Sequence, residues 1–69
     1  MGEAVPRLTD REIQVLKLMV DGARTKGIAA VLGLSIKTVE FHKTNLYSKI
    51  GVDGAIHAVR WAMRTGGYV

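Results

Sequence analysis

Ala29, Gly33 and Val39 stand four and six residues apart, framed by Ile28, Leu32 and Leu34. Two short helices that cross steeply through a turn of three or four residues need this combination. Ala29 is small enough to let the two backbones approach. Gly33 can take the positive backbone dihedral that such a turn requires. Val39 is a branched wedge on the second helix, and Ile28, Leu32 and Leu34 fill the space around it. Few other arrangements use all six residues at this spacing.

The flanking sequence extends the helical reading in both directions. Thr9-Asp10-Arg11-Glu12 is a capping box, with Leu8 before the cap and Ile13 after it. Val15, Leu16, Met19 and Val20 continue a buried face, and Asp21-Gly22 ends it. A short helix follows over 25–32, containing Gly27 at a cost of about 1 kcal/mol relative to alanine. Ser35 is an N-cap for a third helix that stops at Gly51. Val39, Leu46 and Ile50 form its buried stripe. A fourth helix starts near Asp53, a candidate cap, and ends at Gly66-Gly67. Valine and isoleucine follow helical rather than alternating spacing, so no strand is expected. The fold class is all-α, with four helices at about 9–21, 25–32, 35–50 and 54–65. Residues 1–7 read as a tail or linker and 8–67 as one domain.

A chain of 69 residues buries only roughly 60% of its unfolded surface. That leaves little core for a deep catalytic cavity. With no cysteine, disulfides, thiolate metal sites and thiol catalysis are excluded. Neither His42 nor His57 has a second histidine or a neighbouring carboxylate at metal-ligand spacing. His42 reads as a structural residue, His57 as a surface residue and Trp61 as a partly buried anchor. No cofactor, metal site or catalytic set is expected, and an enzyme is disfavoured. No apolar run is long enough for a membrane span.

The net charge of +4 is unevenly placed. Residues 1–23 carry −1. Residues 24–49 carry +4, from Arg24, Lys26, Lys37, Lys43 and Lys49 against Glu40. A basic cluster is either the footprint of a polyanion binder or a solvated surface. The third helix sharpens the choice. Opposite Val39 lie Lys37, Thr38, Glu40, Phe41, Thr44, Asn45 and Ser48, a long polar face that fits the major groove of DNA. Phe41 is large and apolar for a solvated face. Its ring either meets a thymine methyl group or packs at the helix end.

Leu8-Thr9-x-Arg11-Glu12-x-x-Val15-Leu16-x-Leu18 resembles the opening of LuxR-type helix-turn-helix domains, also called the GerE or NarL/FixJ output class. So do Lys26-x-Ile28-Ala29-x-x-Leu32, Ser35-x-x-Thr38-Val39-x-x-His42, Lys49-Ile50-Gly51-Val52 and Ala58-Val59-x-x-Ala62. The likeness runs from Leu8 to Gly66. It implies a bacterial, cytoplasmic transcription regulator that binds duplex DNA sequence-specifically, with the third helix as recognition helix. Such a domain is often the output end of a longer response regulator. By resemblance, Lys37, Glu40, Phe41 and Thr44 read bases, while Lys26, Thr38, Lys43 and Lys49 hold phosphates. The fourth helix serves a homodimer, with Ile56, Val59 and Met63 as candidate contacts, and RNA polymerase is a further candidate partner.

Three positions depart from the family pattern. Gly27 replaces a better helix former, Gly54-Ala55 weakens the start of the fourth helix, and Glu40 stands where a basic side chain is common. An acid there can accept from a cytosine amino group, which would change the operator. The apolar stripe of the fourth helix, Ala55, Ile56, Ala58, Val59, Ala62 and Met63, covers about 160° of the wheel. Either all of it packs inward or part of it meets a second copy. A different function is also open: a protein-interaction module that uses this helix and has lost DNA recognition.

Overall fold

In the computed structural model, which describes residues 7–66, four helices follow one another: α1 (Asp10–Val20), α2 (Thr25–Leu32), α3 (Ile36–Ile50) and α4 (Ala55–Thr65). No strand occurs among the described residues. Most of the expected tail, residues 1–6, and the final glycine of the expected domain, Gly67, lie outside them.

The capping box of α1 forms in both directions. The Glu12 amide donates to Thr9 Oγ1 at 3.1 Å, and the Thr9 amide donates to Glu12 Oε1 at 2.9 Å. The helix ends when Gly22 turns to φ 94°. The Ala23 and Gly22 amides then reach back to the carbonyls of Leu18 and Met19, each at 2.9 Å, which satisfies the last turn. α2 closes in the same way at Gly33, φ 69°, with the Leu34 amide on the Ala29 carbonyl at 2.9 Å. Ser35 caps α3, its Oγ accepting the Thr38 amide at 3.1 Å.

The start of α4 differs from expectation. Its N-cap is Gly54, with no side-chain hydrogen bond, because Asp53 sits one residue too early to reach the free amides. Asp53 Oδ1 instead lies 4.0 Å from Nε2 of His57, one turn into the helix. His57 therefore does have a carboxylate neighbour. Both groups are exposed, so the pair contributes little to stability.

Val15, Leu16, Met19, Ile28, Ala29, Val39, Leu46, Ala58 and Ala62 form the core. Leu8, Leu32, Leu34, Ile50 and Trp61 pack around it as half-buried residues. α1 lies against α3 and α4, and α2 lies mainly against α3. The angle between α2 and α3 is thus fixed by Ala29 and Val39, with Gly33 at the bend.

Candidate nucleic-acid interface

The Gly33 turn and the buried Val39–Leu46 stripe decide which side of α3 faces out. Lys37, Glu40, Phe41, Thr44 and Ser48 are exposed, and Thr38 and Asn45 are half-buried beside them. All four candidate base readers thus share one outward surface. Phe41 is 62% exposed. Its ring meets the His42 ring edge-on, with centroids 6.0 Å apart at 61°, which holds its direction without covering it.

Local hydrogen bonds restrict what these side chains can offer. Thr44 Oγ1 donates to the Glu40 carbonyl at 3.0 Å, so its hydroxyl is left to act as an acceptor. Ser35 Oγ donates to Thr38 Oγ1 at 2.9 Å, which leaves the Thr38 proton free to donate outward. Glu40 is the one acid in α3. The interface therefore pairs a long donor-rich surface with a single acceptor carboxylate.

The four candidate phosphate holders divide into two groups. Lys26 is exposed in the first turn of α2. That turn contains no acidic residue and its N-cap, Arg24, makes no side-chain hydrogen bond, so no carboxylate within it offsets the positive helix end. Thr38 lies in the first turn of α3. The two other lysines are engaged within the protein. Lys43 Nζ donates to Thr25 Oγ1 at 2.9 Å, bracing α3 on the start of α2. Lys49 Nζ donates to Glu12 Oε1 at 2.8 Å, bracing the last turn of α3 on α1.

Neither brace was visible in the sequence. Glu12 reads as a helix cap, and nothing local connects it to a lysine 37 residues later. Only the Asp53–His57 pair carried a signal, its four-residue spacing.

On α4 the apolar stripe divides. Ala58 and Ala62 are buried, Val59 is half-buried, and Ile56 and Met63 are each 72% exposed. The stripe therefore does not pack inward as a whole. Ile56, Val59 and Met63 line a groove of about 900 Å³ against Met19, Ala23 and the start of α2. Among the described residues, no helix is long and apolar enough to cross a membrane. No three His, Asp or Glu side chains gather there at a metal-binding distance.

Known proteins share both the sequence and this architecture. Residues 6–62 match the family described as bacterial regulatory proteins, luxR family. The chain is 42% identical over 64 residues to the spore germination protein GerE of Bacillus subtilis, covering 93% of this chain and 86% of that one. It is 43% identical over 60 residues to the uncharacterized response regulatory protein YgeK of Escherichia coli, covering 87% of this chain. Among solved structures, a Vibrio cholerae VqmA–ligand–DNA complex superposes with a TM-score of 0.84 at 37% identity over 100% of this chain. The response regulator ChrA of a heme-sensing two-component system gives 0.85 at 33% identity over 97%. The chain spans only 41% of YgeK, 31% of VqmA and 33% of ChrA. These likenesses agree with the four-helix architecture. The chain belongs to the luxR family of bacterial regulatory proteins and is one of its helix-turn-helix DNA-binding domains, not an enzyme.

Proposed function

We propose that the chain binds duplex DNA sequence-specifically to regulate transcription in the bacterial cytoplasm, with α3 lying in the major groove. The observation that carries this reading is the exposed surface of Lys37, Glu40, Phe41 and Thr44, presented on one side of a helix whose other side is sealed. Lys37 donates to base acceptors, Glu40 accepts from a cytosine amino group, Thr44 offers its oxygen, and Phe41 meets a thymine methyl group. Lys26, Thr38 and Lys43 hold the phosphates and set the register. Lys49 joins them only by leaving Glu12.

Two copies act together on an operator with two half-sites, in contact through Ile56, Val59 and Met63. Ile56 and Met63 are exposed and Val59 is half-buried beside them, an apolar surface that α4 leaves open. Half-sites for such a pair stand about one helical turn apart. With α4 so occupied, RNA polymerase would meet another face of the bound dimer.

In vitro selection of duplexes from a random pool tests the reading, followed by binding measurements across a range of salt. A recovered motif with two related halves is the expected result. With about 6–10 phosphates contacted by the pair, affinity should fall by ~10³–10⁵ between about 50 and 200 mM salt. A pool that yields no motif, or binding indifferent to salt, would sink it.

A further inference from the structure

Glu12 is the one buried charged residue among the described residues, at 3% exposure. Its Oε1 accepts two hydrogen bonds, one local, from the Thr9 amide at 2.9 Å, and one from far along the chain, from Lys49 Nζ at 2.8 Å. The first closes the cap of α1. The second crosses to the last turn of α3. Little of this carboxylate meets solvent, so withdrawing its lysine leaves a poorly hydrated charge without its counterion. Lys49 is itself 38% exposed along its side chain, yet its charged end stays with Glu12. Lys43, on Thr25, anchors the other side of α3. α3 is thus fastened at two points along its length, to two different helices.

Rotation about the helix axis is what such fastening controls. Side-chain tips lie about 5–6 Å from the axis of a helix. A turn of about 10° therefore moves them by roughly 1 Å. Base-edge hydrogen bonds tolerate only about half an ångström, roughly 2.7–3.2 Å between heavy atoms. Phosphate contacts through flexible lysines absorb such a shift, whereas base contacts do not.

We propose that Glu12 and Lys49 form a positioning pair for DNA reading, in which the lysine holds the protein's own carboxylate instead of a phosphate. The pair sets the rotation at which Lys37, Glu40, Phe41 and Thr44 meet the bases. This inference rests on the DNA-binding reading above and adds two residues that touch no base. It also reverses the sign that charge alone would give. Removing an acid from a DNA-binding domain should tighten binding, whereas here it loosens the specific complex.

The test uses Glu12→Gln, Lys49→Met, the double variant and Lys49→Arg. Binding is measured to a duplex selected by the unaltered chain and to a random-sequence duplex, each across a salt series. Glutamine at position 12 still serves the capping box, so Glu12→Gln keeps the fold, and thermal unfolding checks this. Each of the first two variants should weaken the selected duplex about tenfold, the value of roughly one base contact. Random-sequence binding and the salt slope should stay near those of the unaltered chain. The double variant should be no worse than Lys49→Met, and Lys49→Arg should keep most of the specificity. If Lys49→Met instead weakens both duplexes and lowers the salt slope by about one, while Glu12→Gln has no effect, Lys49 is a phosphate contact and the inference is overturned. It is equally overturned if the ratio of selected to random binding survives in both variants. Should the unaltered chain bind no duplex, the functional reading itself fails. The orientation of α3 on α1, from residual dipolar couplings of unaltered and Glu12→Gln protein, then decides the positioning claim alone, and an unchanged orientation rejects it.

Discussion

Phe41 keeps 62% of its surface open on a helix whose opposite stripe is sealed, and a ring left so exposed has its value in what it will touch. Truncating Phe41 to alanine should relax preference at one base position and leave the salt slope unchanged. Truncating Lys26 should instead weaken every duplex alike and lower the slope by about one. Competition binding with single-base operator variants separates the two outcomes. Glu12 makes a prediction of a different kind, about acid. Burial pushes its pKa up, but the Lys49 and Thr9 donors outweigh that push and hold it below its ordinary value. A carboxyl group whose folded pKa lies below the unfolded one, about 4.3, stabilises the fold fully above that unfolded value. The contribution disappears as pH falls through the folded value. Unaltered protein should therefore resist urea better than Glu12→Gln at about pH 6, and the gap should close steadily on the way to about pH 2. A gap that widened with acid would mean the pair does not form.

Helix boundaries were legible in the sequence wherever a local device sets them. The box at Thr9–Glu12, the cap at Ser35 and the stops at Gly22, Gly33 and Gly51 each act within about five residues, and each stands where its spacing placed it. The start of α4 was less legible, because a cap one residue out of place looks the same in a sequence until the chain is traced. Two glycines, one inside α2 and one at its end, now make opposite predictions. Gly27 lies inside α2, and a Cβ added there would meet nothing within 4 Å. Gly27→Ala should raise stability by about 0.5–1 kcal/mol and Tm by several degrees. Gly33 also has open space, but its φ of +69° is strained for any residue with a Cβ. Gly33→Ala should lower stability by about 1–2 kcal/mol and disturb the turn that aims α3. Calorimetric scans of the two variants should therefore move apart in Tm.

Contacts that cross the fold were the part the sequence concealed. The outward surface of α3 could be read from a helical wheel because Val39, Leu46 and Ile50 share one stripe. Lys49 sits near the edge of that stripe, and only the packing of α1 on α3 brings Glu12 to meet it. The α4 stripe was ambiguous for a similar reason. Its width of apolar surface was plain, but which part the small core would absorb depended on how α4 lies against α1. Ala58 and Ala62 were taken in, while Ile56 and Met63 were left out. That division makes a dimer contact testable without harm to the fold. Each of these two side chains, if fully buried against a second copy, would contribute roughly 1.5–3 kcal/mol. Ile56→Ser with Met63→Ser should therefore leave unfolding of the free domain almost unchanged, since both are already in water. Binding to a single half-site should also be unaffected, because neither residue lies on α3. On a duplex with two half-sites the unaltered domain should bind the second copy at least about tenfold more tightly than the first. That gain should depend on half-site spacing, peaking near one helical turn. The double variant should fill both half-sites independently at every spacing. If the cooperativity survives the double substitution, the contact between copies lies elsewhere on the domain, and the open apolar edge of α4 does not join them.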